Sequence, residues 1–385
     1  MIPYGKQQIT EQDIDAVVNV LKSDFLTQGP IVNRFEQAVA GKCQAKFALA
    51  TNSATSALHI ACLALDIGQG DIVWTSPISF VASANCALYC GADIDFVDIE
   101  RNTANMSTSA LAEKLALAKI QGKLPKAIIV VHMAGLSCDM AKIGALARQY
   151  QVKIIEDASH AIGGAYQYTP VGNCQFSDIC VFSFHPVKVI TSAEGGMALT
   201  NCETLAHKME MYRSHGITKD TTQFQQFSPN EPWRYEQQLL GFNYRMSDLH
   251  AALGLSQLNK LDDFVAQRNA LAQNYRNAFA GLPIKCQQQN DLTLSAYHLM
   301  LCQVESKSKL DRDALFNTLR AQDIGCQIHY IPIHLQPYFQ QLGYRQGDFP
   351  VAEQYYQTCI SLPLFPGLDK VSQTQIIETV KKLLS

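Results

Sequence analysis

Short apolar runs punctuate the first two-thirds of the chain. FALAT, DIVWTS, DIDFVDI, AIIVVHM, KIIEDAS, ICVFSFH and GMALT are each dominated by hydrophobic side chains, the pattern of strands buried on both faces. Between several of them, TSALHIACLAL, SALAEKLALAKI and MAKIGALARQY place apolar residues at helical spacing. Strands alternating with helices predict an α/β fold, a mainly parallel sheet covered by helices. Before the first strand, residues 11–22 read as a helix with Thr10 at its N-cap and Ile14, Val17, Val18 and Leu21 on one face.

Near Ser247 the pattern changes. A long helical stretch with room for a break runs from there to about Ala280 and stops at Gly281 and Pro283. After it come AYHLMLCQV, a helix around 312–322, the segment GCQIHYIP, and helices around 352–358 and 372–384. At 385 residues the chain exceeds one ordinary core. The expected division is a large domain over 1–246 and a long connecting helix with a smaller C-terminal α/β domain over 247–385.

Composition narrows the function classes. A formal net charge of −3 without a basic run gives no footprint for nucleic acid. No apolar run approaches the ~20 residues of a membrane span, and the opening MIPYGKQQ has no signal-peptide core. The 12 cysteines are scattered without a CxxC pair, which reads as free thiols in a reducing compartment. The expectation is a cytoplasmic protein that binds neither nucleic acid nor membrane.

Ligands of open α/β sheets collect at the carboxyl ends of strands. Three such ends carry chemistry here. In FALATNSATSAL a strand runs into a helix start with Ser53, Ala54, Thr55 and Ser56, whose free amides and hydroxyls suit a phosphate; alone, it is equally an N-cap followed by a helix. KIIEDASHAIGG ends in Glu156 and Asp157, then His160; one acid there is also an N-cap or a metal ligand. ICVFSFHPVKVITSAEGG places Ser183, His185 and Lys188 past a strand, with Lys188 among Val187, Val189 and Ile190. Lysines are seldom buried, although one at a strand edge on the surface has the same local sequence. Together the three sites suit pyridoxal 5'-phosphate, which needs a phosphate cradle, a carboxylate against its pyridine nitrogen and a lysine for an imine. His329 and His334 do not make a metal pair: their spacing does not share a helix face, and Pro332 stands between them.

FSFHPVKVITSAEGG, EDASHAIGG, NSATSAL, SPISFVASAN and GFNYRMSDLHAALGLSQL together resemble the DegT/DnrJ/EryC1/StrS sugar-nucleotide aminotransferases, in the same order and over essentially the whole chain. That resemblance implies the aspartate-aminotransferase fold, type I of the pyridoxal-phosphate enzymes. LTQGP, YRSHG and QIHYIPIH are further similar to the pseudaminic-acid subgroup of that family. The resemblance implies Lys188 as the imine lysine, Asp157 at the pyridine nitrogen, His160 near the ring's phenolic oxygen and Phe80 stacked on the ring. It implies Ala54, Thr55 and Ser183 at the phosphate, with Asn243 reaching that phosphate from the partner of an obligate homodimer. Tyr4, Leu26, Thr27, His329 and Tyr330 would contact a UDP-sugar, together with Ala54, Ser183 and Asn243, and glutamate would donate the amino group. Arg213 and Arg245 are candidates either for anion contacts or for ion pairs.

The implied reaction converts a 4-keto-6-deoxy N-acetyl sugar nucleotide to its 4-amino sugar. Family members that dehydrate the sugar at carbon 3 carry histidine where this chain has Lys188. The D-xylo epimer of the sugar and a non-catalytic sugar-nucleotide sensor are the remaining alternatives, and a sensor has no need of Asp157, Ser183 and Lys188 together. No GxGxxG follows the first strand, against an oxidoreductase.

Overall fold

The computed structural model of the protein describes residues 1–225 and 231–384. All seven expected strands enter one sheet: β1 (Phe47–Thr51), β2 (Ile72–Thr75), β3 (Asp93–Phe96), β4 (Ala127–Val131), β5 (Lys153–Asp157), β6 (Ile179–Ser183) and β7 (Gly196–Thr200). They lie in the order β1-β7-β6-β5-β4-β2-β3. Neighbours pair in parallel except around β7, which runs antiparallel between β1 and β6. The reversal follows from the chain: β6 returns as β7 through a loop with no crossover helix, and an antiparallel pair alone permits that. This loop carries Lys188.

Residues along β4 are buried alternately on the two faces. Ala127 and Ile129 meet the core under α3 (Ala54–Ala64) and α4 (Ala82–Tyr89), while Ile128 and Val130 meet the core under α5 (Thr108–Gln121) and α6 (Met140–Tyr150). Both sides are therefore hydrophobic, which is why the strands read as continuous apolar runs. Three of the helix starts are fixed by side-chain caps: Ser53 accepts the Ser56 amide at 3.1 Å, Ser107 the Ala110 amide at 3.2 Å and Asp139 the Lys142 amide at 3.4 Å.

The expected helix before β1 forms as α1 (Glu11–Leu21). Its buried positions are Asp13 and Val20, while Ile14 and Leu21 of the expected apolar face are exposed. A polar anchor sets this rotation. The Asp13 carboxylate accepts the Thr10 amide at 2.8 Å, the Ser256 hydroxyl at 2.6 Å and the Gln257 amide at 2.9 Å, and pairs with Lys260. A buried carboxylate requires such donors.

After β7 comes α7 (Glu203–Arg213), and the long stretch after Ser247 breaks into α8 (Asp248–Leu258) and α9 (Leu261–Ala278). The Asp248 carboxylate also caps α2 (Pro30–Cys43), accepting the Val32 amide at 3.4 Å beside Gly29, the α2 N-cap. A Cβ on Gly29 would lie 2.1 Å from that carboxylate, so this contact requires glycine. Beyond α9, β8 (Ile284–Cys286), β9 (Met300–Val304) and β10 (Cys359–Leu362) form an antiparallel sheet in the order β8-β9-β10. Its core includes Tyr275, Leu315 and Ile376. Residues 2–4 join this region, with the Gly325 amide bonding to Ile2 and the Leu364 amide to Tyr4. Ala251 and Leu258 of α8 and Phe264 and Val265 of α9 pack in the large-sheet core. Among the described residues no helix is long and apolar enough to cross a membrane.

Candidate active site

A cavity of about 410 Å³ opens at the carboxyl ends of β5 and β6 and the N-terminus of α3. Lys188, Asp157, Ser183, Ala54, Thr55, Phe80, His160, Tyr4, His329 and Tyr330 all line it. Leu26, Thr27 and Asn243 do not. Leu26 and Thr27 run beside the start of α8 through the Asp248 amide and a bridge to Ser247. Asn243 is exposed and accepts a 3.4 Å hydrogen bond from the Asn52 side chain through its carbonyl.

Strand alternation separates the two acids at the end of β5. Glu156 faces a buried pocket, 2.7 Å from His132 Nε2 and bonded to Ser177. Asp157 faces the cavity, where its Oδ2 accepts the Ser83 hydroxyl at 2.5 Å and its Oδ1 the Ser159 amide at 3.1 Å. Ser83 in turn lies 2.6 Å from Ser79. Neither serine was recognisable as a partner of Asp157, although their spacing of four at the start of α4 was a usable signal.

The loop carrying Lys188 is pinned at both ends. The Phe184 amide bonds to the Gly195 carbonyl and the Ser192 amide to the Phe184 carbonyl, both at 2.9 Å. Val189 and Ile190 are buried in the core. The apolar flanks that marked this lysine are therefore the loop's anchors. Burial pulls the Lys188 ammonium down to about 8, against the opposing pull of the Asp157 carboxylate. A lysine in that range supplies a neutral amine near physiological pH.

Three imidazoles surround this amine without adding charge. His160 Nδ1 accepts the Ala134 amide at 3.3 Å, which assigns the proton to Nε2, 3.3 Å from the Tyr330 hydroxyl. Burial, then the charges of Lys188 and His329, hold His160 well below its ordinary value. His298 packs 4.4 Å from His160 between ring centroids and is held low by burial first and by His160 next. His329 bonds to the Ser361 hydroxyl at 2.7 Å, and burial and Lys188 bring it to about 3. His298 was missed in the sequence; its signal is a lone polar residue in the apolar run AYHLMLCQV. His334 points elsewhere, to Glu353 at 2.9 Å. Arg213 is an ion-pair residue, bound to Glu36 and at 2.8 Å to the Ala50 carbonyl.

The first turn of α3 supplies the cradle. Ser53 caps the Ser56 amide, and the amides of Ala54 and Thr55 have no acceptor among the described residues. Gly196 lets this turn sit against the sheet, since a Cβ there would come within 2.4 Å of the Ala54 nitrogen. Free amides at a helix N-terminus favour a phosphate. Cradle, carboxylate and depressed lysine share one cavity, so the residues present fit pyridoxal phosphate.

Comparison with known proteins agrees. The DegT/DnrJ/EryC1/StrS aminotransferase family model matches residues 7–381, and the chain belongs to that family. It is a pyridoxal-phosphate-dependent sugar aminotransferase of fold type I. The spore coat polysaccharide biosynthesis protein SpsC of Bacillus subtilis is 37% identical, covering 100% of this chain and 97% of that protein. The UDP-4-amino-4,6-dideoxy-N-acetyl-beta-L-altrosamine transaminase of Campylobacter jejuni is 36% identical, covering 99% of each. The structure of Helicobacter pylori PseC, an aminotransferase involved in the biosynthesis of pseudoaminic acid, superposes with a TM-score of 0.90 at 33% identity over 100% of this chain and 99% of that one.

Proposed function

We propose that this enzyme aminates the C4 ketone of UDP-2-acetamido-2,6-dideoxy-β-L-arabino-hexos-4-ulose, with glutamate as donor, in pseudaminic acid biosynthesis. The observation that carries this reading is full-length similarity to a transaminase named for the corresponding amino sugar. Similarity to an aminotransferase of pseudoaminic acid biosynthesis supports it. Bound pyridoxal phosphate supplies the electron sink for the carbanion formed at the donor's α-carbon. Lys188 would hold it covalently at its aldehyde carbon, and Asp157 would set a carboxylate against its ring nitrogen. Ala54, Thr55 and Ser183 would hold the phosphate, with Phe80 over the ring and His160 by the phenolic oxygen. Lys188 Nζ would take the proton from glutamate's α-carbon and later deliver one to C4 of the sugar, base and then acid. The depressed lysine and the neutral imidazoles suit that exchange.

Tyr4, Leu26, Thr27, His329 and Tyr330 bind the sugar nucleotide in this reading. The enzyme works as a homodimer in the cytoplasm, with Asn243 completing the partner's phosphate site. The twelve free cysteines support a reducing compartment.

A second reading, the D-xylo epimer or another sugar nucleotide, draws on the spore-coat relative, whose identity is as high. Purified enzyme, glutamate and the two 4-keto epimers, with products identified by NMR, separate the readings. Both epimers share the diphosphate and uracil, so discrimination falls to groups around C5 and its methyl, worth about 1–3 kcal/mol in an apolar pocket. The expected preference for L-arabino is about 10–200-fold in kcat/KM. Equal constants, or a D-xylo preference, defeat the substrate assignment and leave the aminotransferase intact.

A further inference from the structure

Away from the active site, two cysteines stand directly opposite each other in the C-terminal sheet. Cys286 closes β8 and pairs with Cys302 at the middle of β9, with their sulfurs 4.0 Å apart. The Gln287 amide bonds to the Leu301 carbonyl, and the Glu305 amide to the Pro283 carbonyl. The hydrogen-bonded pairs are therefore 287/301 and 283/305, which makes 286/302 a non-hydrogen-bonded pair. In such pairs side chains approach most closely, and the Cα separation falls in the range a disulfide accepts.

The two thiols are not equivalent. Cys302 is buried, whereas Cys286 is half-buried and lines a cavity of about 620 Å³ with Arg276, Lys285 and Lys307. Lys285 and Lys307 are both paired with Glu305, at 2.6 and 3.1 Å. The hydrogen bond from the Cys302 thiol, and behind it the Arg276 guanidinium, hold the Cys286 thiol below its ordinary value despite burial. The same hydrogen bond, with burial, holds Cys302 well above its own. Cys286 is thus the sulfur that reaches the cavity and gives up its proton more readily, with the buried Cys302 thiol beside it, the arrangement of an attacking and a resolving cysteine.

We propose that Cys286 and Cys302 are an oxidation site that closes to a cross-strand disulfide when the enzyme meets a peroxide. The Cys286 thiolate attacks one peroxide oxygen; an S–O bond forms, the O–O bond breaks, and the departing hydroxide takes a proton to become water. Cys302 sulfur then attacks Cys286 sulfur and the S–O bond breaks, releasing a second water with the Cys302 proton. Two thiols and one hydrogen peroxide give one disulfide and two waters, the sulfurs losing two electrons in all. The bridge ties β8 to β9 next to Gln287, whose side chain reaches the Thr103 and Met133 carbonyls of the large-sheet region at 2.7 and 3.1 Å.

The test treats the holoenzyme with hydrogen peroxide, blocks remaining thiols, digests it without reductant and maps the peptides by mass spectrometry. The expected product is a peptide pair joining 286 to 302, lighter by two hydrogens and separated by reductant. Oxidised wild type should also unfold at a midpoint on the order of 5 °C above reduced wild type, a difference absent in Cys286→Ser. Recovery of both cysteines reduced, of Cys286 over-oxidised without the bridge, or of either linked to the exposed Cys202 would overturn the proposal. Should Cys286→Ser fail to fold, the reductant-sensitive peptide pair from wild type decides alone.

Discussion

The inner wall and the mouth of the active-site cavity are built differently. Along the inner wall, Asp157, His160 and His329 each find hydrogen-bond partners within their own chain. At the mouth, Phe80 is 59% exposed; Leu26 and Thr27 lie outside the cavity lining, along the start of α8. Ile14, Leu21 and Phe25, in the same N-terminal segment as Leu26, are each exposed. These inner-wall groups are thus held within one chain and preorganised before any ligand arrives. The phosphate cradle at the start of α3 is where the proposed second copy, through Asn243, would contribute.

The inner wall should break first and hardest. Lys188→Ala removes the proposed covalent anchor and proton carrier, so transamination should fall by at least about 10⁴-fold and the visible absorbance of the lysine-bound cofactor should vanish. Cofactor in its amine form can still bind. A visible band surviving in that variant would move the anchoring lysine elsewhere. Asp157→Asn should leave the circular dichroism spectrum and unfolding midpoint close to wild type. It should still lower kcat by about 10²–10³-fold, roughly 3–4 kcal/mol, because the ring nitrogen loses its anionic partner. Wild-type turnover would reduce Asp157 to a cap for the Ser159 amide.

What was legible in the sequence follows the same division. The seven strands, α3, α5 and α6, and Asp157, Ser183 and Lys188 at the strand ends announce themselves locally, because buried strands are continuously apolar and Lys188 sits among hydrophobic neighbours. Partners supplied from a distance did not show. Ser83 meets Asp157 across 74 positions, and Asp13 turns α1 through Ser256, Gln257 and Lys260. Apolar spacing placed Ile14 and Leu21 on one face but could not reveal that a buried carboxylate, rather than that face, seats the helix. Glu156 and Asp157 were adjacent acids with one set of possible roles, until the pleat sent them to opposite sides.

The proposed contribution of Asn243 across the subunit boundary is tested by complementation. Inactive Lys188→Ala mixed with an impaired Asn243→Ala variant should regain activity after subunit exchange. One of the two sites in a heterodimer then has a native lysine and a native Asn243. The expected recovery is about a quarter of wild-type activity per total subunit, from one working site in each heterodimer and half the dimers mixed. No recovery after exchange is verified by mass spectrometry would confine Asn243 to its own subunit.

The smallest effect concerns the proton on Lys188. In cofactor-free enzyme the ammonium titrates at about 8, because burial disfavours its charge more than Asp157 favours it. Only the neutral amine attacks the cofactor's aldehyde, so the rate of covalent capture should rise with pH and level off above the titration point. The neutral fraction climbs from about a tenth at pH 7 to about nine-tenths at pH 9, a roughly tenfold gain in rate. An ordinary lysine would gain about a hundredfold over the same span and show no plateau. Stopped-flow absorbance on the apoenzyme distinguishes the two. The sign of the Asp157 contribution adds a second reading: the carboxylate raises Lys188, so in Asp157→Asn the plateau should begin at lower pH. A plateau shifted upward in that variant would mean that the carboxylate does not face the amine, and the inner wall would lose the electrostatic pairing on which its chemistry rests.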